Sequence, residues 1–179
     1  MMRKVVLYIA MSLDGYIADK RGGVSWLSGQ DISIESQNNG GYGAFVATVD
    51  SVVMGYTTYH QVVTELAPGA WPYTGLKSYV LTHKQLSADD NVMAVSQPVT
   101  ELIKQLRQQT GKAIWIMGGA SIGRPLIATD LIDEYHLTII PILLGAGVRL
   151  FEGQSQQIPL RLVTSTSDNG MLDCVYKRR

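Results

Sequence analysis

Six apolar, β-branched-rich runs recur along the 179-residue chain: VVLYIAM (5–11), SVVMG (51–55), SYVLT (78–82), NVMAV (91–95), AIWIMG (113–118) and YHLTIIPILL (135–144). They are continuously apolar instead of alternating, the pattern of strands buried on both faces. Segments with helical spacing lie between several of them. In VTELIKQLRQQT (Val99–Thr110), Val99, Leu102, Ile103 and Leu106 fall on one face, behind Pro98. Tyr42–Val49, Thr57–Leu66 and Ser121–Leu131 read the same way. Strands that need cover on both sides, alternating with such helices, build a mostly parallel sheet between two helical layers. Pro141, inside the sixth run, implies a bulge or an edge there. The final stretch, LRLVTSTSDNGMLDCVYKR, reads differently: strand, turn at Asp168-Asn169-Gly170, strand, an antiparallel hairpin closing one edge. No repeat or linker divides the chain, so residues 1–179 read as one domain.

Charge narrows the function classes. Fifteen basic and fifteen acidic residues cancel, so no global field draws the chain to nucleic acid or to an anionic membrane. Only 17% of residues are charged against 46% hydrophobic, a charge-poor surface that fits burial in a homodimer interface. The single cysteine, Cys174, rules out an internal disulfide framework and reads as a buried thiol in a strand, consistent with a cytoplasmic, reducing setting. MMRKVVLYIAM is too short and lacks the ending of a signal sequence, and no apolar run approaches the ~20 residues that span a bilayer. His60, His83 and His136 stand far apart without acidic or cysteine partners at ligand spacing, so no metal site is expected.

The stretch IMGGASIGRPLI (116–127) carries the chemistry. As a GxGxxG fingerprint it has Ala120 where the second glycine belongs, and no carboxylate follows to hold a ribose. As a P-loop it has Arg124 for lysine and Pro125 for the hydroxyl residue. What remains is physical. Gly118 and Gly119 let a ligand approach the backbone at a strand end, and Pro125 belongs in a first helical turn. That places a helix start near Ser121, a suitable cap, with its free N–H groups turned to the strand end, where anions are attracted. Locally, two readings stay open: a diphosphate cradle, or a tight turn that packs helix on sheet.

Three further segments decide how the stretch is read: MSLDGYIA (11–18), VDSVVMGYTTY (49–59) and LIDEYHLTIIPILLGAGVRLF (131–151). Together with IMGGASIG they resemble the dihydrofolate-reductase-like family, closest to the branch containing the reductase domain of the riboflavin-biosynthesis deaminase–reductase. The resemblance implies a three-layer α/β sandwich that binds NADPH across the C-terminal ends of its strands, with NADH as the other possible form. It implies that Ala10 and Ile17 flank the nicotinamide. Gly55, Tyr56, Thr57 and Thr58 would form one diphosphate-binding helix start; Met117, Gly118, Gly119, Ala120, Ser121 and Ile122 would form the second. Leu81, Thr82 and His83 would border the adenosine.

The chain also departs from that family. The arginine of the family's G-R-x-T turn, usual beside the NADPH 2′-phosphate, is Tyr56; His83 and Lys84 are the nearby replacements. The first-helix carboxylate that holds pterin in dihydrofolate reductases falls at Asn38-Asn39-Gly40-Gly41, which has none, with Asp31 and Glu35 upstream. The riboflavin-pathway lysine after SLDG is Tyr16, and the acidic residue opening the late glycine stretch is Met117. Trp26 does match a tryptophan that the family sets over the substrate. The expectation is an NAD(P)H-dependent reductase of a small heteroaromatic or pyrimidine/pterin-like substrate, resembling 5-amino-6-(5-phosphoribosylamino)uracil reductase. The alternatives are dihydrofolate reductase proper and a non-catalytic dimeric nucleotide-binding module. Asp31 and Asp14 are the candidate proton-handling carboxylates, although Asp before Gly also fits a turn-shaping role at Asp14. Trp26, Asp31, Tyr42 and Tyr59 are the candidate substrate contacts; Phe45 reads as core.

Overall fold

A computed structural model describes residues 2–31, 33, 41–86, 90–153 and 156–179. The first half runs β1 (Val5–Ser12), β2 (Tyr16–Ala18), α1 (Tyr42–Val46), β3 (Val49–Gly55), α2 (Tyr56–Gln61), β4 (Lys77–Leu81) and β5 (Val92–Val95). Then come α3 (Val99–Gln108), β6 (Ala113–Gly118), α4 (Ala120–Ala128), β7 (Glu134–Ile140), β8 (Val148–Arg149), β9 (Leu160–Asp168) and β10 (Met171–Arg178). One eight-stranded sheet has the order β5-β4-β3-β6-β1-β7-β10-β9. Its first six strands are mutually parallel, and β10 and β9 join antiparallel at the far edge.

Each apolar run is continuous because neighbouring residues serve opposite layers. Val5 and Leu7 of β1, Ile114 and Ile116 of β6 and Val53 of β3 bury against α3 and α4. Val6, Trp115, Val52 and Met54 bury against Phe45 of α1 and Tyr59 of α2. In α3 the four buried residues are those with helical spacing, Val99, Leu102, Ile103 and Leu106. Burial of each contributes about 1.5–3 kcal/mol, so Ile103→Ala, at a fully buried position, costs about 2–5 kcal/mol. Cys174 is a buried thiol on β10. The last hairpin turns on Asn169 (φ 46°) and Gly170 (φ 76°), the two positive φ values that match a two-residue turn to strand twist.

Several boundaries differ from expectation. α1 ends at Val46, not at 49, because the Thr48 amide and hydroxyl both donate to the Phe45 carbonyl and Val49 opens β3. α2 begins one residue early, and Val62–Leu66 continues it as a π-helix. Ser121 is not the cap of α4: the Gly119 carbonyl accepts the N–H groups of Ile122 and Gly123, each at 3.0 Å, and the helix begins at Ala120. Pro125 consequently lies inside α4, on its exposed side, and not in the first turn. Pro141 is outside β7, which stops at Ile140 because proline has no N–H for the ladder. β2 and β8, which pair as a separate small sheet, carried too few residues to be legible. Among the described residues no helix is long and apolar enough to cross a membrane.

Candidate functional site

Parallel strands followed by helices leave an open crevice where successive crossovers run to different sheet faces. Here the C-terminal ends of β1, β3, β4, β5 and β6 open into a cleft of about 890 Å³. Tyr8, Ile9 and Ala10 come from β1, and Ile17 and Ala18 from β2. The other walls are the starts of α2 and α4 and the segments leaving β4 and β5.

The floor is where two helices begin. α2 starts behind Gly55 and α4 behind Gly119; neither has a side-chain cap or an acidic residue in its first turn. Their first N–H groups are therefore open to an anion. The two starts face each other. A Cβ on Gly55 would lie 3.7 Å from Ser121 Oγ, and one on Gly119 would lie 3.8 Å from Thr58 Oγ1. Gly118 acts differently. Its φ of +125° suits glycine, and a Cβ there would come within 3.1 Å of Ile9 Cδ1. Gly118 and Gly119 are joined by a cis peptide bond.

Among the described residues, no Asp, Glu, Lys or Arg lines the cleft, and the titratable groups that do are Tyr8, Tyr56, Tyr73 and His83. Burial pushes the Tyr73 phenol up to about 12, and its ring stands edge-on to Trp71 and Trp115 at 5.2 and 5.5 Å. Burial also raises Tyr8, the Asp173 charge adding to it and a hydrogen bond with Thr138 opposing it. Both phenols stay protonated at neutral pH and can donate hydrogen bonds. The cleft is thus apolar, uncharged at its walls and supplied with backbone donors on its floor. It suits an anionic ligand with flat rings.

The expected cofactor residues are brought together. Ala10, Ile17, Gly55, Tyr56, Thr57, Thr58, Leu81, Thr82, His83, Met117, Gly119, Ala120, Ser121 and Ile122 all line the cleft. Gly118 does not; it is buried and shapes the chain beneath. The expected substrate and proton-handling residues are placed elsewhere. Tyr59 is in the core, 5.6 Å from the Trp71 ring, because it is on the inward side of α2. Tyr42 packs against Tyr8 and Trp115 at 6.3 and 5.9 Å without lining the cleft. Trp26 donates its indole N–H to the Gly23 carbonyl, next to the lining residues Val24 and Leu27.

Both candidate carboxylates lie outside the cleft lining. Asp31 is exposed, its backbone N–H bound to Asn169 on the final hairpin. Asp14 accepts the Ser12 hydroxyl at 2.6 Å and the amides of Leu144 and Gly145 at 3.1 and 2.8 Å. It ties the turn after β1 to the 144–145 loop. Glu35 and residues 38–40 lie outside the described residues. Sequence reasoning missed Tyr8, Tyr73, Gln61 and Ser96 as lining residues. Tyr8 was findable, since it shares a strand face with Ala10 at a spacing of two.

Residues 3–172 match the family model of the RibD C-terminal domain. The chain is 39% identical over 163 residues to the uncharacterized protein YwjB of Bacillus subtilis (strain 168), with 90% of each covered. It superposes with a TM-score of 0.82 on the crystal structure of a Shewanella sp. PV-4 protein named for riboflavin biosynthesis, at 32% identity, covering 100% of this chain and 99% of that one. A Thermotoga maritima diaminohydroxyphosphoribosylaminopyrimidine deaminase/5-amino-6-(5-phosphoribosylamino)uracil reductase shares the fold, with a TM-score of 0.71 at 14% identity; the match covers 99% of this chain and 57% of that one. With a central sheet, a hairpin edge and a family match that spans nearly its whole length, the chain belongs to the RibD C-terminal domain family and has its reductase-like fold.

Proposed function

We propose that this chain is a reductase that uses NADPH to reduce a small heteroaromatic, pyrimidine-like substrate. One observation carries the reading: two uncapped helix starts, at Gly55 and Gly119, converge on the floor of a cleft that no carboxylate lines among the described residues. A diphosphate placed there meets backbone donors and no side-chain anion.

When bound, the nicotinamide supplies a hydride. Ala10 and Ile17, which line the cleft from β1 and β2, would flank the nicotinamide ring, and the apolar walls would keep water from it. Tyr8 shares the strand face of Ala10 and lines the cleft, and we assign its phenol, which also bonds Thr138, the role of orienting a substrate heteroatom.

The test is NADPH consumption, followed at 340 nm, with 5-amino-6-ribosylaminouracil, its 5′-phosphate and dihydrofolate as substrates. The reading expects turnover with a pyrimidine and none with dihydrofolate, because among the described residues no carboxylate lines the cleft to grip a pterin. The same absence favours a second reading, a nucleotide-binding module without catalysis. NADPH binding with no turnover on any pyrimidine would establish that reading instead. We propose as well that the chain associates into a homodimer and works in the cytoplasm; light scattering of the purified chain tests the first.

A further inference from the structure

Among the described residues the walls of the cleft carry no fixed charge, yet a cation stands at its rim. β4 lies beside β3, with Leu81 paired to Gly55. The chain leaving β4 therefore passes the start of α2. Lys84 Nζ sits 3.9 Å from the centroid of the Tyr56 ring, and the Lys84 backbone N–H donates to Thr82 Oγ1 at 3.0 Å. Tyr56, Thr82 and His83 all line the cleft. Among the described residues no carboxylate pairs with Lys84.

A lysine held over an aromatic face has its long stem ordered and its ammonium still short of an anion. The ring occupies the position where an arginine would otherwise present charge, and it positions a charge that arrives from the next strand. We infer that Lys84, seated on Tyr56, recognises the 2′-phosphate of the adenosine and makes the chain select NADPH over NADH. The inference rests on the proposed function and adds to it a selectivity device. A monoester phosphate carries about −1.5 to −2 charges at neutral pH. An ammonium that meets it outside the diphosphate cradle alters affinity for one nucleotide only.

The experiment is a pair of fluorescence titrations, NADPH and NADH, on the full chain and on four variants. The native chain is expected to bind NADPH at least about tenfold more tightly than NADH, a ratio equivalent to about 1.4 kcal/mol. Lys84→Ala removes most of that ratio while leaving the NADH Kd within about twofold. Lys84→Arg retains it, and Tyr56→Leu reduces it by unseating the ammonium. Arg21→Ala is the control: it removes a cation next in sequence to the lining residue Gly22, and leaves the ratio intact. Raising salt shrinks the native ratio and not that of Lys84→Ala.

Equal binding of both nucleotides by the native chain overturns the inference. So does equal weakening of both by Lys84→Ala, which would assign Lys84 to the diphosphate, or loss of the ratio in Arg21→Ala. Failure of the native chain to bind either nucleotide overturns the proposed function itself, a different result from binding without preference.

Discussion

Gly119 and Thr58 face each other across the cleft floor, so close that a methyl on Gly119 would lie 3.8 Å from Thr58 Oγ1. Gly119 has a negative φ, −83°, so a side chain there is resisted by lack of space for a ligand and not by the backbone. Gly119→Val is expected to weaken NADPH binding by more than about tenfold. The nucleotide-free variant should still melt within a few degrees of the native protein. Calorimetric titration and a melting curve on the same preparation check both halves.

The adjacent glycine should behave in the opposite way. At Gly118 the φ of +125° and the approach to Ile9 Cδ1 make any side chain strained. Gly118→Ala is expected to cost about 1–3 kcal/mol of stability, read as a lower urea midpoint. A midpoint equal to that of the native protein would remove the account of why the floor holds two glycines in a row.

Asp31 and Asp14 separate a surface carboxylate from a structural one. Asp31→Ala should leave the NADPH Kd and any turnover within about twofold, since its carboxylate is exposed and outside the cleft. Asp14→Ala should lower the melting temperature, because three donors lose their acceptor. The Ser12 hydroxyl, then the Gly145 and Leu144 amides, hold the Asp14 carboxyl below its usual range. Its contribution is thus present at neutral pH and lost as pH falls through that lowered value. A large loss of turnover in Asp31→Ala with unchanged melting would restore it as a catalytic group.

Glu134, at the start of β7 and so at the opposite end of the sheet from the cleft, gives a pH prediction. Hydrogen bonds from His136 and Lys4, with the charges of Lys4 and Lys177, bring its carboxyl down to about 2 from the ordinary 4.5. Lys4 Nζ is 2.7 Å away. A lowered carboxylate stabilises the fold above pH 4.5 and loses that contribution as pH falls toward 2. Glu134→Gln should therefore have a lower urea midpoint than the native chain at pH 7, with the gap narrowing below pH 4.5. NADPH affinity should be unchanged. A gap that stays constant down to pH 3 would contradict this.

The fold was legible because each parallel strand is apolar on both faces, and Val5–Leu7 or Ile114–Ile116 can satisfy that only between two layers. Boundaries were less legible, since hydrogen bonds decide them: the Gly119 carbonyl takes the cap role assigned to Ser121, and Thr48 closes α1 early. The gathering of the two glycine-bearing turns at the cleft floor was legible because backbone geometry at Gly55 and Gly119 follows local sequence. The remaining lining side chains were not. Whether Tyr59 points into the core and Tyr8 into the cleft depends on helix rotation and strand register, set by packing from distant parts of the chain. Asp31 shows the same limit, since its loop is held by Asn169, far away in sequence.

The central claim is that the cleft holds a nicotinamide nucleotide by the helix starts at Gly55 and Gly119. Isothermal titration of the native chain with NADPH tests it most directly. The account predicts saturable binding of one nucleotide per chain at micromolar concentration, abolished in Gly119→Val. No heat of binding at millimolar NADPH, or equal binding by Gly119→Val, would contradict it.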